Sequence, residues 1–397
     1  MGKLGRVLGV AVVGAALAAS PALAKTLKIG IPLPLTGSKA KFGEIEKRSY
    51  EIAAEEINAA GGINGMQIEL DIQDSQGKPE IARAIAEKLV DVAKQPFLIG
   101  AYSSSCSKAI AALAEERKVP YLVVTGAAND ITQKGYDYVF RMNPSVEYYT
   151  SGFRGFLREV VKPKTIAILY EATDFGTSGS KSMVKEAKRL GIEVVLNEKY
   201  ESGAVDFKPI LSQVKAKRPD VIYMVSYVMD AALLMRQIKE LRIDAKLFAG
   251  GAAGFAIPEF VENAKDAAEY VVTATLWSPF APYKGAREFA EKYKKRAGKY
   301  PSYHGAEAYS ALYVLKDALE RAGSMDSEAI KKALAATDLV TAFGPVKFES
   351  KGKYKNQNFM DTLVLQVING KHEVIWPKKF ATADYVFPIP RWRDRRR

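Results

Sequence analysis

Apolar and polar residues follow two alternating patterns along most of the chain. Short apolar runs, typical of buried strands, precede longer stretches in which apolar residues recur every three or four positions, as in an amphipathic helix. The run Leu27–Leu33 and the stretch Arg48–Ala59 are the first such strand and helix. A regular order of strand, helix and strand predicts an α/β fold, with a largely parallel sheet and helices on both of its faces.

The order of strand and helix occurs twice, which predicts two α/β lobes of similar build. The predicted strands are 27–33, 66–72, 97–100 and 121–124 in the first series, and 165–170, 193–196, 220–225 and 246–249 in the second. After Trp277 the pattern predicts helices at 284–297, 304–322 and 326–335, then strands at 344–348 and 362–368. Because helices without intervening strands cannot bury their apolar faces alone, we expect them to pack on the first lobe, and the last strands to cross to the second.

The first 24 residues have the pattern of an export signal. Lys3 and Arg6 precede an apolar run at 7–19, and Ser20–Ala24 supplies a small-residue cleavage site, so the mature chain is expected to start near Lys25. The apolar run is too short to cross a bilayer core comfortably. No cysteine near Ala24 is available for a lipid anchor. We therefore expect the mature chain to be free in the periplasm.

These patterns predict three parts of the chain. Residues 1–24 form the signal peptide. Residues 25–144 together with 277–350 form lobe 1, and residues 145–276 together with 351–397 form lobe 2. The chain then crosses between the lobes several times, which is how a hinged cleft is built.

Charge and reactive residues exclude several functional classes. The formal net charge is +13, but the basic residues are scattered over helical faces and gathered only at the C-terminal end, so a nucleic-acid binder is not expected. Cys106 is the only cysteine, so an intramolecular disulfide is impossible. The two histidines, His304 and His372, lack metal-ligand spacing, and no catalytic motif is present. The sequence therefore predicts a protein without enzymatic activity, cofactor or metal.

Segments spread over the whole mature chain carry a family resemblance. They are Ile29–Gly37, Phe42–Gly43, Ala54–Gly65, Asp74–Gln76, Gly100–Ser105, Thr125–Ala128, Tyr309–Ala318 and Pro388–Trp392. In this order they resemble the branched-chain amino-acid (Leu/Ile/Val) periplasmic binding proteins. The resemblance implies a type I periplasmic-binding fold, in which two doubly wound parallel-sheet lobes are joined by three hinge crossings. It also implies a small-molecule ligand in the cleft and, as partners, the permease and ATPase subunits of an ABC importer, with the binding protein itself a monomer.

The loop Ala101–Ser105 is a candidate anion site. It follows a predicted strand and enters a predicted helix, at the sheet edge where open α/β folds bind ligands. Amides at a helix start stabilise a carboxylate, and serine hydroxyls add donors. By the resemblance, Ser103 and the amide of Ser104 correspond to the family's carboxylate-binding pair. The alternative is that one of these serines only caps the helix.

The family's amino-group site is less complete in this sequence. The loop after Thr125 keeps the carbonyl of Ala127 but has Asn129 where the family has threonine, and Gly251 stands where the family has an acidic residue. A buried ammonium without an anionic partner is costly, so either another acid replaces it or the ligand lacks that charge. Asp230 is a conceivable replacement, although it also suits the cap of its own helix.

Aromatic residues are expected to line the rest of the cleft. By the resemblance, Phe42 stands where the family has an aromatic residue next to glycine, and Phe175 repeats this arrangement in the second lobe. Tyr227 follows a predicted strand, and Tyr149 lies near a predicted hinge. The resulting hypothesis is a periplasmic binding protein for a branched-chain or other hydrophobic amino acid. A second hypothesis keeps the transport role but replaces the ligand with an aromatic or other hydrophobic carboxylate that lacks an amino group. A more distant alternative is a ligand-sensing regulator.

Overall fold

A computed structural model describes residues 26–395, so the predicted signal at 1–24 lies outside the described residues, as do the last two arginines. In this range the strands are β1 (Thr26–Leu33), β2 (Gln67–Asp74), β3 (Leu98–Gly100), β4 (Tyr121–Val123), β5 (Val139–Arg141), β6 (Thr165–Glu171), β7 (Glu193–Tyr200), β8 (Val221–Val225), β9 (Leu247–Gly250), β10 (Val272–Thr275), β11 (Asp338–Val340), β12 (Pro345–Lys347), β13 (Glu349–Lys351), β14 (Tyr354–Gln357), β15 (Leu363–Ile368) and β16 (Lys371–Trp376). The helices are α1 (Ala40–Ala59), α2 (Pro79–Glu87), α3 (Ser104–Arg117), α4 (Val146–Phe156), α5 (Asp174–Leu190), α6 (Lys208–Lys217), α7 (Val228–Glu240), α8 (Pro258–Ala264), α9 (Ala286–Ala297), α10 (Tyr303–Ala322) and α11 (Ser327–Ala335). None of the described helices is long and apolar enough to cross a membrane.

The first lobe is built on a mainly parallel sheet. Strands β3, β4, β5 and β14 pair in parallel, and β13 adds an antiparallel edge. The parallel pair of β1 and β2 adjoins β3, where the amide of Ala101 donates to the carbonyl of Pro32 at 3.2 Å. Helices α1, α9, α10 and α11 pack together on this lobe, and α2 packs on α3. Among the late helices, α9 and α10 therefore pack against α1 of the first lobe, and α11 packs against α10.

The second lobe has a sheet of order β16-β15-β10-β9-β8-β6-β7. Strands β6 to β10 pair in parallel. Strands β6, β8, β9 and β10 are mainly apolar and mostly buried, as expected for strands covered on both faces, whereas β7 is a partly exposed edge strand. Strands β15 and β16 form an antiparallel hairpin around Asn369 and Gly370, which both have positive φ. Asn-Gly is the sequence that favours such a two-residue turn.

Within the described residues the chain passes between the two sheets three times, at 142–145, 276–285 and 358–362. Residues 351–357, which the sequence analysis assigned to lobe 2, are instead joined to the sheet of lobe 1. The reason is a buried contact: the guanidinium of Arg141 on β5 donates to Gln357 Oε1 at 2.6 Å, and β14 pairs with β5 at these two residues. Nothing in the local sequence of β14 reveals this partner.

Two helices begin earlier than the sequence analysis predicted. Helix α1 begins at Ala40 rather than Arg48, and Gly43 lets its first turn approach the preceding loop: a Cβ there would lie 2.0 Å from the carbonyl oxygen of Pro34. Helix α5 begins at Asp174 rather than at Ser178, where the spacing of apolar residues predicts a helix over 178–189, because the hydroxyl of Thr173 accepts the amide of Gly176 and caps the helix. Both early starts lie at the edge of the cleft.

Candidate ligand-binding site

A small cavity lies where the carboxyl ends of the two sheets face each other. Its lining residues come from both lobes: Tyr102, Ser104, Thr125, Ala127, Tyr149, Phe175, Tyr227, Ala253, Tyr303 and His304. The residues at 102–127 in this list follow β3 and β4 of lobe 1. The other lining residues, apart from Ala253, lie in or next to the first turns of α4, α5, α7 and α10. This is the crevice in which open α/β sheets bind ligands.

The start of α3 supplies the polar end of the cavity. Ser104 Oγ accepts the amides of Ala127 and Ala128 at 3.2 and 3.0 Å, so its hydroxyl proton is free to donate to a ligand. The amides of Ser104 and Ser105 head the helix, where no intrahelical acceptor exists. With the helix dipole behind them, these donors suit a carboxylate.

Ser103 has a different position from the one that the sequence analysis proposed. Its hydroxyl accepts the amide of Cys106 at 3.3 Å and caps α3, and its side chain is not part of the cavity lining. The capping alternative therefore describes Ser103, whereas Ser104 faces the cavity. Cys106 is buried in α3, and burial raises the pKa of its thiol.

The loop after β4 contributes one of its two predicted site residues. Ala127 lines the cavity, and its carbonyl accepts the amide of Val146 at 2.8 Å. Asn129 lies outside the cavity: its Nδ2 donates to Ser182 Oγ at 3.0 Å, and its Oδ1 accepts the amide of Glu147 at 3.1 Å. The side chain of Asn129 therefore ties the two lobes together.

The predicted aromatic residues cluster around the cavity. Phe175 and Tyr227 of lobe 2 lie with their ring centroids 5.7 Å apart. Phe42 is fully buried and stacks on Tyr102 at 4.5 Å, which places it behind the cavity wall. Tyr149 lines the cavity and exchanges hydrogen bonds with the side chain of Asn143. Three of the four predicted aromatic residues, Tyr149, Phe175 and Tyr227, therefore line the cavity, and Phe42 lies behind its wall.

Two lining residues of α10 were not predicted. The rings of Tyr303 and His304 stack at 3.9 Å, and the hydroxyl of Tyr303 accepts the amide of Ala253 from the opposite lobe at 3.2 Å. Burial lowers the pKa of His304 to about 3, so the ring is neutral at physiological pH. The sequence gives little indication of this pair, because a helix that begins after a serine such as Ser302 is a common feature and does not by itself mark a binding site. Tyr102, Thr125 and Ala253 were also missed, although Tyr102 lies inside the predicted anion loop.

Gly251, which the resemblance aligns with an acidic residue, lies away from the cavity lining and close to Tyr223. This glycine does not line the cavity, and a Cβ there would lie 2.8 Å from the hydroxyl oxygen of Tyr223. Asp230 is no replacement, since its carboxylate accepts the amide of Gly203 at 3.0 Å and lies away from the lining. Burial raises the pKa of Asp230.

Two other carboxyl groups lie directly behind the cavity wall. Glu46 on α1 accepts the hydroxyl of Thr125 at 2.9 Å, and Glu307 lies one turn beyond His304 on α10. Both side chains are fully buried. Burial raises the pKa of Glu46 to about 8, and burial together with the charge of Glu46 holds the pKa of Glu307 well above its ordinary value.

The two lobes are in contact around the cavity. Lys108 of α3 pairs with Asp130 at 2.7 Å and, across the cleft, with Asp174 of α5 at 2.5 Å. Lys299, which precedes α10, pairs with Glu259 of α8 at 2.7 Å. In the part of the chain that the structure describes, no group of three His, Cys, Asp or Glu side chains is placed to hold a metal ion.

Comparison with known proteins agrees with this architecture. Residues 26–371 match the family model described as periplasmic binding protein. The chain is 30% identical over 336 residues to the leucine-, isoleucine-, valine-, threonine-, and alanine-binding protein of Pseudomonas aeruginosa, covering 85% of this chain and 89% of that one.

Two solved structures share the fold. The leucine binding protein LivK of Thermotoga maritima superposes with a TM-score of 0.81 at 28% identity, covering 89% of this chain and 99% of that one. The branched-chain amino acid transporter substrate binding protein LivJ of Streptococcus pneumoniae, in complex with isoleucine, gives a TM-score of 0.79 at 27% identity, covering 88% and 99%. The predicted type I periplasmic-binding fold is confirmed.

Proposed function

The chain belongs to the periplasmic binding protein family, and from that premise we propose that it is the solute-binding subunit of an ABC importer. In this proposal it captures a branched-chain or other hydrophobic amino acid in the periplasm and delivers it to the permease and ATPase subunits. It acts as a monomer and releases its ligand chemically unchanged.

The observation that carries the proposal is the position of Ser104. Its amide and hydroxyl stand at the start of α3 and border a cavity whose other walls are mainly aromatic. A ligand with a carboxylate at Ser104 places its apolar part against Tyr102, Phe175 and Tyr227. This combination of one anion-binding end and an apolar wall suits a hydrophobic amino acid.

Contacts across the cleft support capture by hinge closure. The hydrogen bond between Tyr303 and Ala253, and the ion pair between Lys108 and Asp174, each join one lobe to the other. Such contacts form only when the lobes close, and closure around a ligand is a common hinge motion of two-lobed binding proteins. The names of the relatives also support an amino-acid ligand, since the Pseudomonas aeruginosa protein is named for leucine, isoleucine, valine, threonine and alanine.

The test is calorimetric titration of the purified protein with leucine, isoleucine, valine and phenylalanine. We expect one of them to bind at one site per chain and to be recovered unchanged. Ser104→Ala should weaken binding about 10- to 100-fold, because a hydrogen bond to a charged group contributes about 1.5–3 kcal/mol. The matched control is Ser180→Ala, which removes a buried hydroxyl that does not line the cavity and donates to Asn197 on β7. Unchanged affinity in Ser104→Ala would contradict the proposed anchor.

A second candidate ligand is an aromatic or other hydrophobic carboxylate without an amino group. Gly251 favours it, because the chain has no acidic side chain at this position and a Cβ there would lie 2.8 Å from the hydroxyl oxygen of Tyr223. Titration with benzoate and with leucine separates the two candidates. Binding of benzoate without binding of any of the amino acids would replace the first proposal with the second.

A further inference from the structure

A second cavity lies between the two lobes, beside the crossing at 276–285, and is called the hinge cavity below. Lobe 1 contributes residues 300–303 at the start of α10, lobe 2 contributes α8 and the β15-β16 hairpin, and the crossing contributes residues 277–280. Its volume is about 430 Å³. This is within the range of about 300–1,000 Å³ that is typical of small-molecule sites, which are often found between domains.

The walls of the hinge cavity are rich in flat rings. Phe280 of the crossing is 58% exposed, and its ring stands edge-to-face with that of Tyr300 at a centroid distance of 6.1 Å. Aromatic and proline rings present flat apolar surfaces, against which a planar aromatic molecule packs well. The rings that line the cavity belong to Trp277, Phe280, Tyr300 and Tyr303, and to Pro258, Pro279 and Pro301.

His372 on β16 supplies a hydrogen-bond acceptor to the hinge cavity. Its Nε2 lies 2.8 Å from the carbonyl oxygen of Phe255, so Nε2 carries the hydrogen and donates it. Burial lowers the pKa of His372, so the ring is neutral at physiological pH. The other ring nitrogen, Nδ1, is then an acceptor, and it has no hydrogen-bond partner among the described residues. A ligand with one O–H or N–H group can donate to it.

The charged side chains of the lining favour an uncharged occupant. They are those of Glu262, Lys371 and Glu373. Glu262 and Lys371 are exposed to solvent, and Glu262 pairs with Lys299 at 2.9 Å. The carboxylate of Glu373 accepts the hydroxyl of Thr382. None of the lining charges is both buried and unpaired, so the interior of the cavity holds no fixed charge that would attract an ion.

The hinge cavity shares a wall residue with the candidate ligand site. Tyr303 lines both cavities, and its hydroxyl accepts the amide of Ala253 from lobe 2 at 3.2 Å. The ion pair between Lys299 of lobe 1 and Glu262 of α8 also joins the two lobes at the edge of the hinge cavity. The shape of the hinge cavity therefore depends on the angle between the lobes. A molecule that fits the cavity in this closed arrangement stabilises this arrangement over others.

We propose that the hinge cavity is a second ligand site, which takes an uncharged aromatic molecule with one hydrogen-bond donor, such as a phenol or an indole, and whose occupant tightens solute binding in the cleft. The aromatic ring of this molecule packs between the aromatic and proline walls, and its donor group binds Nδ1 of His372. The two ligands occupy separate cavities at the same time. Because coupling between two sites is reciprocal, the solute in the cleft strengthens binding at the hinge cavity by the same factor.

The experiment is calorimetric titration of the protein with 2-naphthol and with 2-methoxynaphthalene, which has the same rings but no donor. We expect 2-naphthol to bind at one site per chain, and the ether to bind about 5- to 10-fold more weakly, because it loses one hydrogen bond. Val261→Trp fills the cavity from α8 and should weaken 2-naphthol binding at least about tenfold. The matched control, Val340→Trp, makes the same change at an exposed position of β11 and should behave like the wild type.

His372→Leu tests the acceptor. It keeps an apolar side chain at this position, and the affinities of the two probes should then agree within about twofold. The comparison of the two probes on the wild-type protein needs no variant, so it decides the question even if a variant folds poorly. Equal affinities of the two probes for the wild type, or unchanged 2-naphthol binding in Val261→Trp, would overturn the site.

The coupling is measured by titrating 2-naphthol in the presence of a saturating solute that binds in the calorimetry described above, an arm that rests on the proposed function. We expect 2-naphthol to bind roughly fivefold more tightly. Displacement of 2-naphthol by the solute would place the probe in the cleft and overturn the second site, and an unchanged affinity would refute the coupling. If neither an amino acid nor benzoate binds, the proposed function fails, whereas the titrations of 2-naphthol alone still decide the second site.

Discussion

Replacing Glu46 by glutamine should stabilise the ligand-free protein at alkaline pH and leave it nearly unchanged at acid pH. Glutamine has the shape of the protonated acid, and its carbonyl oxygen can still accept the hydroxyl of Thr125. It cannot ionise. The substitution therefore removes one specific cost, that of holding a carboxylate in a fully buried position.

The magnitude follows from the raised pKa. Burial moves the pKa of Glu46 from 4.5 to about 8, so the folded state keeps a proton that the unfolded chain has already lost. This part of the stability is fully present below about pH 4.5 and is lost as the pH rises to about 8. A difference of about 3.5 in pKa, at about 1.4 kcal/mol per pKa unit, corresponds to roughly 5 kcal/mol at and above pH 8. The advantage of Glu46→Gln should grow by at most about 1.4 kcal/mol per pH unit across that window.

Urea unfolding followed by circular dichroism, at several pH values from 4.5 to 9, measures this difference. The control is Glu44→Gln on the same helix, where a hydrogen bond from Lys41 lowers the pKa of an exposed carboxylate. For Glu44 the change of stability with pH has the opposite sign. Its carboxylate stabilises the folded state above the ordinary pKa of the group, and this stabilisation is lost as the pH falls. Parallel curves of unfolding free energy against pH for the wild type and Glu46→Gln would refute the reasoning.

Two further substitutions test the closed cleft and its packing. Lys108→Met removes the ion pair with Asp174, and we expect calorimetry to show ligand affinity about two- to fivefold weaker, in line with ~0.4–1 kcal/mol for a partly exposed pair; full affinity would show that this contact does not support closure. Gly254→Ala places a Cβ 2.4 Å from the backbone carbonyl carbon of Tyr227, and we expect urea unfolding to show a loss of about 1–3 kcal/mol. An unchanged urea midpoint for Gly254→Ala would mean that the loop containing Gly254 can shift to accommodate the added methyl group.

The sequence alone predicted those parts of the site that depend on neighbouring residues. A glycine-ended strand followed by Ala101–Ser105 predicted an anion loop at a helix start, and the structure places Ser104 at the cavity. Tyr227 was predicted because it follows a strand, and Phe175 because Phe175-Gly176 repeats the arrangement of Phe42-Gly43; both line the cavity. Strand ends, helix starts and burial patterns depend on residues that are close together in the sequence, so they can be predicted without the tertiary structure.

The sequence could not show which of the two serines, Ser103 or Ser104, has its side chain in the cavity. The two serines are adjacent and chemically identical, but only Ser104 turns toward the loop after β4, while the hydroxyl of Ser103 caps the helix. Asn129 was misplaced for a similar reason, because its partners Ser178 and Ser182 lie on the other lobe. In each case the side chain's partner is remote in sequence.

Local periodicity determined the two-lobed α/β architecture, because helix and strand geometry translate directly into spacing of apolar residues along the chain. Tertiary structure alone decided which groups face the ligand from α10 and which acids meet behind them. Glu46 and Glu307 are 0% exposed on two helices far apart in the chain, and their carboxyl groups become neighbours only when α1 packs on α10. Their raised pKa values are a property of that packing, since either acid in an extended chain would titrate as an ordinary carboxyl group.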